Sequence, residues 1–385
     1  MTVTRIQTRL AEALGLDVPI FAFSKAPAVV AAVSRAGGLG VLGAVAYTVD
    51  QLREALDFVD AHAGGKPYGV DVVMPAKYVD GGAGHDAPLD PSMLEAMISP
   101  AHRAFIEDLL ARHEVPALPA GQTSWHHLLA WTEQTTRPQV EMALSREGSN
   151  IRLLANALGP PPRDIVDAAH ARGMKVAALS GAAEHAKKHI ANGVDIIVAQ
   201  GTEAGGHCGE ISTMVLVPEI VDAVGDVPVL AAGGIGCGRQ VAAALALGAQ
   251  GAWTGSMWLT VAESDLHPIA RDKLLRATSR DTVRSRALTG KPARQLRTAW
   301  SDAWDDPGGP GTLPMPLQFM ATADATTRIH HWAGQPGTRA HELLTSPVGQ
   351  IVGRMNAVRP VEDVMRDLVT ELEGCVRRMA GAMQA

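Results

Sequence analysis

Short apolar runs alternate with amphipathic stretches along most of the chain. The runs are four to seven residues long, rich in β-branched side chains and without polar alternation, as is typical of parallel strands covered on both faces. Eight of them predict strands, at residues 18–23, 39–43, 68–74, 151–155, 175–179, 194–199, 228–231 and 250–254. Most of the stretches between them have helical spacing. Eight strands joined by helices predict an α/β fold, a closed (β/α)8 TIM barrel, rather than a doubly wound open sheet.

Residues 76–150 interrupt this alternation. They contain a Gly/Asp/Pro stretch (DGGAGHDAPLDP), a helical pattern over residues 92–113, a Pro/Gly break (PALPAG) and a second helical pattern from about residue 124. Bare loops of this length are uncommon in compact domains. We expect a helical insertion after the third strand that covers the strand ends and acts as a lid or shapes the substrate pocket.

After residue 262, the regular alternation of strand and helix patterns ends. The chain there is rich in proline and glycine (DDPGGPGTLPMPLQF) before a closing amphipathic helix, whose apolar positions are Val361, Val364, Met365, Leu368, Val369 and Leu372. The predicted domains are therefore a barrel from residues 1–75 and 151–262, the helical insertion 76–150, and a C-terminal extension 263–385 that packs on the barrel as a smaller subdomain.

Charge, hydrophobicity and cysteine content exclude several classes of protein. The chain has 385 residues and a formal net charge of -6, with no basic run, which argues against a nucleic-acid surface. No apolar run reaches the roughly 20 residues of a membrane span, and MTVTRIQTRLAEALGL lacks the apolar core of a signal peptide. The three cysteines lack metal-ligand spacing, so we expect free thiols, no metal site and a cytoplasmic protein. The sequence is compatible with a homodimer but does not define the oligomeric state.

The stretch GVDIIVAQGTEAGGHCG, residues 193–209, has the strongest chemical signal. A buried strand runs directly into a glycine-rich loop, and glycines allow the backbone to turn sharply and approach a ligand closely. His207 is thus presented at the carboxyl end of a strand, where α/β barrels place their chemistry, and we interpret it as catalytic rather than as an ordinary core histidine. Cys208 is interpreted as a packed small side chain rather than a nucleophile. Glu203 either orients His207 or caps the following turn.

Two further glycine-rich loops, AAGGIGCG and TGSMW, follow the seventh and eighth predicted strands. Each is expected to open a helix, and helix N-termini bind phosphate through exposed N–H groups and the aligned peptide dipoles. Barrels commonly place a phosphate site after these two strands. The loops together predict a site for one phosphate monoester, and no GxGxxG motif indicates a dinucleotide fold.

These motifs resemble the nitronate monooxygenase family, also called 2-nitropropane dioxygenases. The resemblance rests on GVDIIVAQGTEAGGHCG and on VLAAGGIGCGRQVAAALALGAQGAWTGSMWL, and it extends to AAVSRAGGLGVLGA near the amino terminus and to SPVGQIVGR near the carboxyl terminus. Such a resemblance implies an FMN-dependent (β/α)8 barrel. It covers most of the chain apart from residues 76–150.

The resemblance also implies roles for individual residues. His207 would remove the proton next to a nitro group, or orient the anionic nitronate beside the flavin, and reaction with O2 would give a carbonyl compound and nitrite. The substrate would be a small molecule, either a nitronate or another carbon acid. Contacts with FMN are expected at Ala22, Phe23, Ser24, Asp71, Gln200, Gly205, Gly206, Gly233, Gly234, Trp253, Thr254, Gly255 and Ser256.

Several positions depart from the family pattern. Ala22-Phe23-Ser24-Lys25 stands where a Gln-Ala-Pro-Met turn is usual, Asp71 stands for an asparagine, and Asn156 stands where many relatives have a histidine. Lys25 and Asp71 either face the flavin or pair with each other. The histidine pairs are interpreted as solvated or lid residues: His126, His127, His330 and His331. The long insertion suggests a substrate larger than a small nitroalkane.

Two other functions stay open at this stage. The same framework resembles NAD(P)H-dependent FMN enzymes that reduce a quinone or an unsaturated acyl thioester. A barrel that binds flavin or phosphate without turnover, or a non-flavin barrel such as an isomerase, is the second alternative.

Overall fold

Eight parallel strands form a closed barrel in the computed structural model, which describes residues 7–74, 91–124 and 133–382. In chain order they are β1 Ile20–Ser24, β2 Leu39–Gly43, β3 Tyr68–Val73, β4 Ile151–Ala157, β5 Lys175–Ser180, β6 Ile196–Gln200, β8 Val229–Ala232 and β9 Gly251–Thr254, where β7 is the short strand Gly206–His207. Each pairs with its neighbour in this order, and β9 closes the ring on β1. The predicted (β/α)8 barrel is confirmed, with every strand end within two residues of its expected place.

Helices surround this barrel and extend beyond it. The α-helices of the described residues are α1 Arg9–Ala13, α2 Pro27–Arg35, α3 Val49–His62, α4 Pro91–Ala96, α5 Pro100–Arg112, α6 Glu133–Ser145, α7 Arg163–Ala171, α8 Ala183–Ala191, α9 Thr213–Val224, α10 Gly238–Ala246, α11 Pro268–Arg276, α12 Ala299–Asp305, α13 Leu317–Trp332, α14 Ala340–Leu343 and α15 Val361–Ala382. None of them is long and apolar enough to cross a membrane.

Side chains alternate between the two faces of each strand, and this decides which residues face the barrel interior. The inner layer contains Phe21, Leu39, Val41, Leu153, Ala155, Ala177, Ile196, Val198, Leu230, Ala232 and Trp253. Leu10 of α1 and Leu14, the residue directly after this helix, belong to the same cluster. The other strand face packs against the surrounding helices. Because all eight strands are parallel, their carboxyl ends open at a single mouth, where the glycine-rich loops lie.

The insertion contributes to two different parts of the molecule. The predicted helix 92–113 is two helices, because Ser99 caps a new helix whose first residue is Pro100. Helix α5 shares a hydrophobic cluster with helices of the extension, through residues that include Leu109, Trp300 and Ile329. Helix α6 instead joins the hydrophobic cluster of the barrel's helical ring. The start of the second predicted helix lies outside the described residues, and the lid role of the insertion stays a prediction.

A second, three-stranded antiparallel sheet stands beside the mouth, and the sequence did not predict it. Strands β10 Thr282–Ser285 and β11 Ala293–Leu296 of the extension form a hairpin, and β11 also pairs with β7, so that Ala293 lies opposite His207. The extension therefore builds one wall of the candidate site.

Candidate active site

His207 is fixed through both nitrogens of its ring. The Nδ1 atom lies 3.3 Å from the carbonyl oxygen of Pro292, and Nε2 lies 3.3 Å from the hydroxyl of Thr289. Because a carbonyl oxygen can only accept, these partners assign the proton to Nδ1 and the lone pair to Nε2, to which the Thr289 hydroxyl donates. His207 thus presents Nε2 as its basic atom.

The surroundings of His207 keep its ring neutral. Burial lowers the pKa of the imidazole below its usual value, the hydrogen bond to Pro292 partly opposes this effect, and the positive charge of Lys291 lowers the pKa further. At pH 7 the side chain is therefore uncharged and able to accept a proton, as a general base must be.

The loop that carries His207 is held by a close crossing of two backbones. A Cβ atom on Gly205 would lie 2.7 Å from the nitrogen of Gly349 and 2.8 Å from Val348, so only glycine fits at this position. The Gly349 nitrogen donates to Oγ of Ser256 over 2.8 Å. These contacts bring the loops after β6 and β9 together with the SPVGQIVGR segment.

Glu203 and Cys208 have structural roles in this loop. The carboxylate of Glu203 accepts hydrogen bonds from the nitrogen of Thr213 at 3.0 Å and from its hydroxyl at 2.8 Å, so it caps helix α9 and does not orient His207. The thiol of Cys208 donates to the carbonyl of Thr202, and burial raises its pKa, which disfavours the reactive thiolate. Arg294 of β11, a buried residue without a sequence signal, also donates to the Thr202 carbonyl, at 2.8 Å.

The loops after β8 and β9 form a glycine cradle suited to an anion. The N–H groups of Gly234, Gly255 and Ser256 have no acceptor within the part of the chain that the structure describes. Gly233 and Gly234 have φ values of 98° and 70°, which glycine tolerates and most residues do not. Within residues 7–74, 91–124 and 133–382, a Cβ atom on Gly255 would meet no atom within 4 Å. Donors without partners around open space fit a phosphate group.

The predicted reason for phosphate binding, two helix N-termini, is wrong in detail. The N–H of Gly238, at the start of α10, donates to the carboxylate of Glu371 on α15 over 2.8 Å, so that helix terminus is already satisfied. The TGSMW loop opens only the 3₁₀ helix Ser256–Thr260 rather than an α-helix. The cradle consists of the loop glycines themselves.

The residues with predicted FMN contacts divide between the two faces of the strands. Phe23, Gln200, Asp71 and Trp253 lie on the interior face, by strand alternation. Ala22 and Thr254 point away from the interior, and Ala22 packs in the outer layer against helix α2.

Thr254 also has its side chain committed elsewhere. Its hydroxyl donates to the carbonyl of Phe21 over 2.8 Å and accepts from the indole of Trp258 over 2.9 Å. Ser24 uses its hydroxyl to accept from the nitrogen of Ala26. Ala22 and Thr254 could therefore reach a cofactor only through their backbones.

Asp71 carries a buried carboxyl group on β3. It is 7% exposed, its Oδ1 atom has no hydrogen-bond partner among the described residues, and burial raises its pKa to about 7. An unpartnered polar atom of this kind on the interior face fits a ligand with a donor group, such as a flavin ring. It does not pair with Lys25, since no ion pair joins the two within residues 7–74.

Replacing Asp71 with asparagine should change how stability depends on pH. The native carboxyl holds its proton up to about pH 7, whereas the unfolded chain releases it near pH 3.8, so wild-type stability must fall as pH rises between these values. We expect flavin-free Asp71→Asn to gain stability relative to wild type by about 1.4 kcal/mol per unit of pKa shift, and thus by a few kcal/mol at pH 8. Urea unfolding of both proteins at pH 5 and pH 8 measures this difference in the free energy of unfolding. The exposed Asp222→Asn is the control, and a parallel pH dependence of Asp71→Asn and wild type would contradict the prediction.

A group of ionisable residues gathers near the carboxyl end of β1, and sequence patterns did not indicate it. Burial lowers the pKa of His330 to about 4, aided by His267 and Lys25, and the rings of His330 and His267 are 6.0 Å apart. Burial also lowers the pKa of Lys25, which Asp265 partly opposes, and raises the pKa of Tyr47 to about 12. His330 is partly buried rather than solvated, its alternative interpretation as a lid residue stays a prediction, and His126 and His127 lie outside the described residues.

Asn156 is structural. It accepts from the nitrogen of Met74 at 2.7 Å and donates to the carbonyls of Met74 and Gly159, and it is fully buried. This clamp fixes the end of β3 against β4. Across the described ranges 7–74, 91–124 and 133–382, no group of three or more His, Cys, Asp or Glu residues could hold a metal ion.

His207 and the glycine cradle lie on loops that open at the same end of one barrel. This geometry defines the class: an α/β-barrel enzyme whose candidate site at the mouth combines a buried histidine with glycine-rich loops.

Comparison with known proteins then gives the family. Residues 16–371 match the family model described as "Nitronate monooxygenase", and the chain belongs to that family, whose members are flavin-dependent oxidoreductases. A Mycobacterium tuberculosis protein named "Putative monooxygenase Rv1533" is 52% identical over 380 residues, which cover 98% of this chain and all of that protein. A Staphylococcus aureus protein named "Probable nitronate monooxygenase" is 29% identical, with 94% of this chain and 99% of that protein covered.

Solved structures agree with the barrel. FabK from Thermotoga maritima superposes with a TM-score of 0.67 at 25% identity, covering 98% of this chain and 99% of that one. The nitroalkane oxidase from Streptomyces ansochromogenes superposes with a TM-score of 0.75 at 24% identity, covering 96% and 99%. At that identity the second likeness shows the fold alone.

Proposed function

We propose that this protein oxidises alkyl nitronates with O2 to a carbonyl compound and nitrite, with FMN as its cofactor and His207 as the catalytic residue. The observation that carries the proposal is the neutral, buried imidazole of His207, whose Nε2 atom is basic and lies on the glycine loop at the barrel mouth. Family membership supports the reaction type.

The proposed role of His207 depends on the form of the substrate. With a neutral nitroalkane, Nε2 takes the proton from the carbon next to the nitro group, and the electron pair of the C–H bond stays on the substrate as the nitronate. With a nitronate that is already anionic, the imidazole positions the anion instead. The neutral imidazole accepts a proton in the first role, and in the second role Nε2 can donate to the anion once the ring is protonated.

FMN fits the residues at the mouth. The free N–H groups of Gly234, Gly255 and Ser256 would hold its phosphate, and the interior-facing Gln200 and Asp71 would contact its ring. When bound, the flavin supplies the electron transfer between nitronate and O2. The protein contributes binding, orientation and the exclusion of water.

Gly255→Ala tests the phosphate cradle directly. The added methyl group meets no atom of the described residues within 4 Å, so the fold should tolerate it, but it would occupy the proposed space of the phosphate. We expect wild type to bind FMN more tightly than riboflavin, and Gly255→Ala to reduce that preference by about tenfold or more, since one or two charge-assisted hydrogen bonds are lost. Fluorescence titration of flavin-free protein measures both affinities.

Gly381→Ala, at an open position of α15, is the matched control and should keep the wild-type preference. Equal binding of FMN and riboflavin by wild type would contradict the phosphate cradle.

The reaction itself is tested by product analysis. With an alkyl nitronate and the flavin-loaded enzyme, we expect consumption of O2 together with nitrite and carbonyl product in equal amounts. Nitronate left unchanged under these conditions, with O2 present and flavin bound, would contradict the proposed function.

A further inference from the structure

We propose that Thr289 is a positioning residue that serves the base in both of its protonation states. Its hydroxyl donates a hydrogen bond to Nε2 of His207 while the ring is neutral, and it accepts one from Nε2 after the ring has taken the substrate proton. The inference rests on the proposed function, because it assigns a partner to the proposed base.

The hairpin of the extension fixes Thr289 in place. Thr289 lies in the turn between β10 and β11, followed by Gly290 with a φ value of 83°. A Cβ atom on Gly290 would collide with the carbonyl oxygen of Leu313, so the turn packs closely against that backbone segment. The Thr289 hydroxyl also accepts from the nitrogen of Lys291 at 3.3 Å. The threonine is thus held by its own turn and does not depend on His207 for its position.

The same hairpin leaves Nε2 as the one ring atom that can take a proton. Pairing of Ala293 with His207 places the Pro292 carbonyl 3.3 Å from Nδ1, which is therefore already protonated. The Thr289 hydroxyl lies 3.3 Å from Nε2. Such distances are long for hydrogen bonds, and catalytic hydrogen bonds often shorten when substrate binds.

A hydroxyl group suits this position because it can donate or accept by rotation about its C–O bond. For the transfer, the hydroxyl first turns away from the Nε2 lone pair to donate to the carbonyl of Lys291, which lies 3.4 Å from it. After the proton has moved from the substrate carbon to Nε2, the hydroxyl oxygen accepts from the new N–H and keeps its own proton. A hydrogen bond from a charged imidazolium is roughly twice as strong as one to a neutral ring. Thr289 therefore stabilises the protonated state more than the neutral state.

On the loop of His207 and on the β10–β11 hairpin, charged side chains of the described residues oppose protonation of the ring or are engaged elsewhere. Lys291 on the same hairpin opposes protonation of the ring. Glu203 is engaged by Thr213, and Glu210 pairs with Arg284 at 2.8 Å. Arg294 of β11 adds a further positive charge beside Cys208. Thr289 offsets part of the effect of burial and of Lys291, and it does so without adding a charge.

Thr289→Val and Thr289→Ser separate this role from simple packing. Valine has the same shape without the hydroxyl, whereas serine keeps the hydroxyl. In the flavin-loaded enzyme without substrate, we expect NMR titration of labelled histidine to show the pKa of His207 lower by about half a unit to one unit in Thr289→Val. In Thr289→Ser, the pKa of His207 should equal that of wild type. Lys291→Met should move the same resonance in the opposite direction, because it removes a like charge.

Kinetics provide a second readout. In Thr289→Val, the pH profile of kcat/KM for a neutral nitroalkane should shift to lower pH by the same amount and its plateau should fall several-fold, while a preformed nitronate should be much less affected. An unchanged His207 pKa in Thr289→Val would overturn the inference, and so would a serine variant that behaves like the valine variant. A shifted pKa in an enzyme that oxidises no nitro compound would support the positioning role and contradict only the proposed function.

Discussion

Replacing His207 with asparagine should slow the turnover of a neutral nitroalkane by about 10²- to 10⁴-fold while flavin stays bound, since positioned general bases contribute about this much. Asparagine retains hydrogen-bonding capacity and similar size but has no basic nitrogen. Steady-state nitrite release measures the effect, and the visible spectrum of the purified variant reports its flavin content. The loss should be largest for the neutral substrate, because a preformed nitronate needs no proton removed.

A matched histidine elsewhere in the barrel provides the control. His170 on α7 pairs with Asp195 at 2.8 Å, just before β6 and therefore at the end of the barrel opposite the mouth. His170→Asn should turn over both substrate forms at the wild-type rate. Wild-type turnover of neutral nitroalkane by His207→Asn would show that another group is the base.

Replacing Gly205 with alanine should separate the loops that form the site. The added methyl carbon would lie 2.7 Å from the nitrogen of Gly349, and backbone atoms on both sides of this crossing cannot move away as a flexible side chain would. We expect a loss of about 1–3 kcal/mol of stability, as for other overpacked positions. Flavin content should fall by about tenfold or more, because this crossing also sets the position of Ser256 through Gly349.

The control for Gly205 is Gly334→Ala, where the new carbon would lie 3.9 Å from Ile269, an ordinary contact distance. Thermal unfolding and flavin absorbance of the two variants, purified in parallel, measure the difference. If Gly205→Ala kept wild-type flavin content and melting temperature, the backbone crossing would not be what holds the site together.

The barrel was predictable from sequence because each of its strands is marked locally. A buried parallel strand reads as a continuous apolar run, and a glycine or proline break usually follows it. The second sheet was not predictable for the opposite reason. Strand β7 has two residues, β10 and β11 read as TVRS and ARQL, and His207 meets Ala293 across 86 positions of sequence. No local pattern indicates such a pairing.

In the candidate site, too, the local features were predictable from the sequence and the long-range partners were not. The position of His207 after a strand and two glycines was readable, but its partners Thr289 and Pro292 come from the extension and have no motif. The glycine-rich loops after β8 and β9 were readable from the sequence, and their phosphate role stays a prediction, yet the helix terminus at Gly238 is occupied by Glu371, which lies 133 residues further along. Long-range contacts thus decided what each local motif does.

Anaerobic visible spectroscopy of the flavin-loaded protein tests the central claim most directly. An alkyl nitronate is added to one sample, and NADH or NADPH to others, with O2 excluded so that the flavin cannot be reoxidised. The account predicts that the nitronate changes the flavin absorbance rapidly and that admitting O2 restores it, while the pyridine nucleotides have no effect. Rapid bleaching by NADH or NADPH, together with no response to nitronate, would contradict it and indicate a reductase.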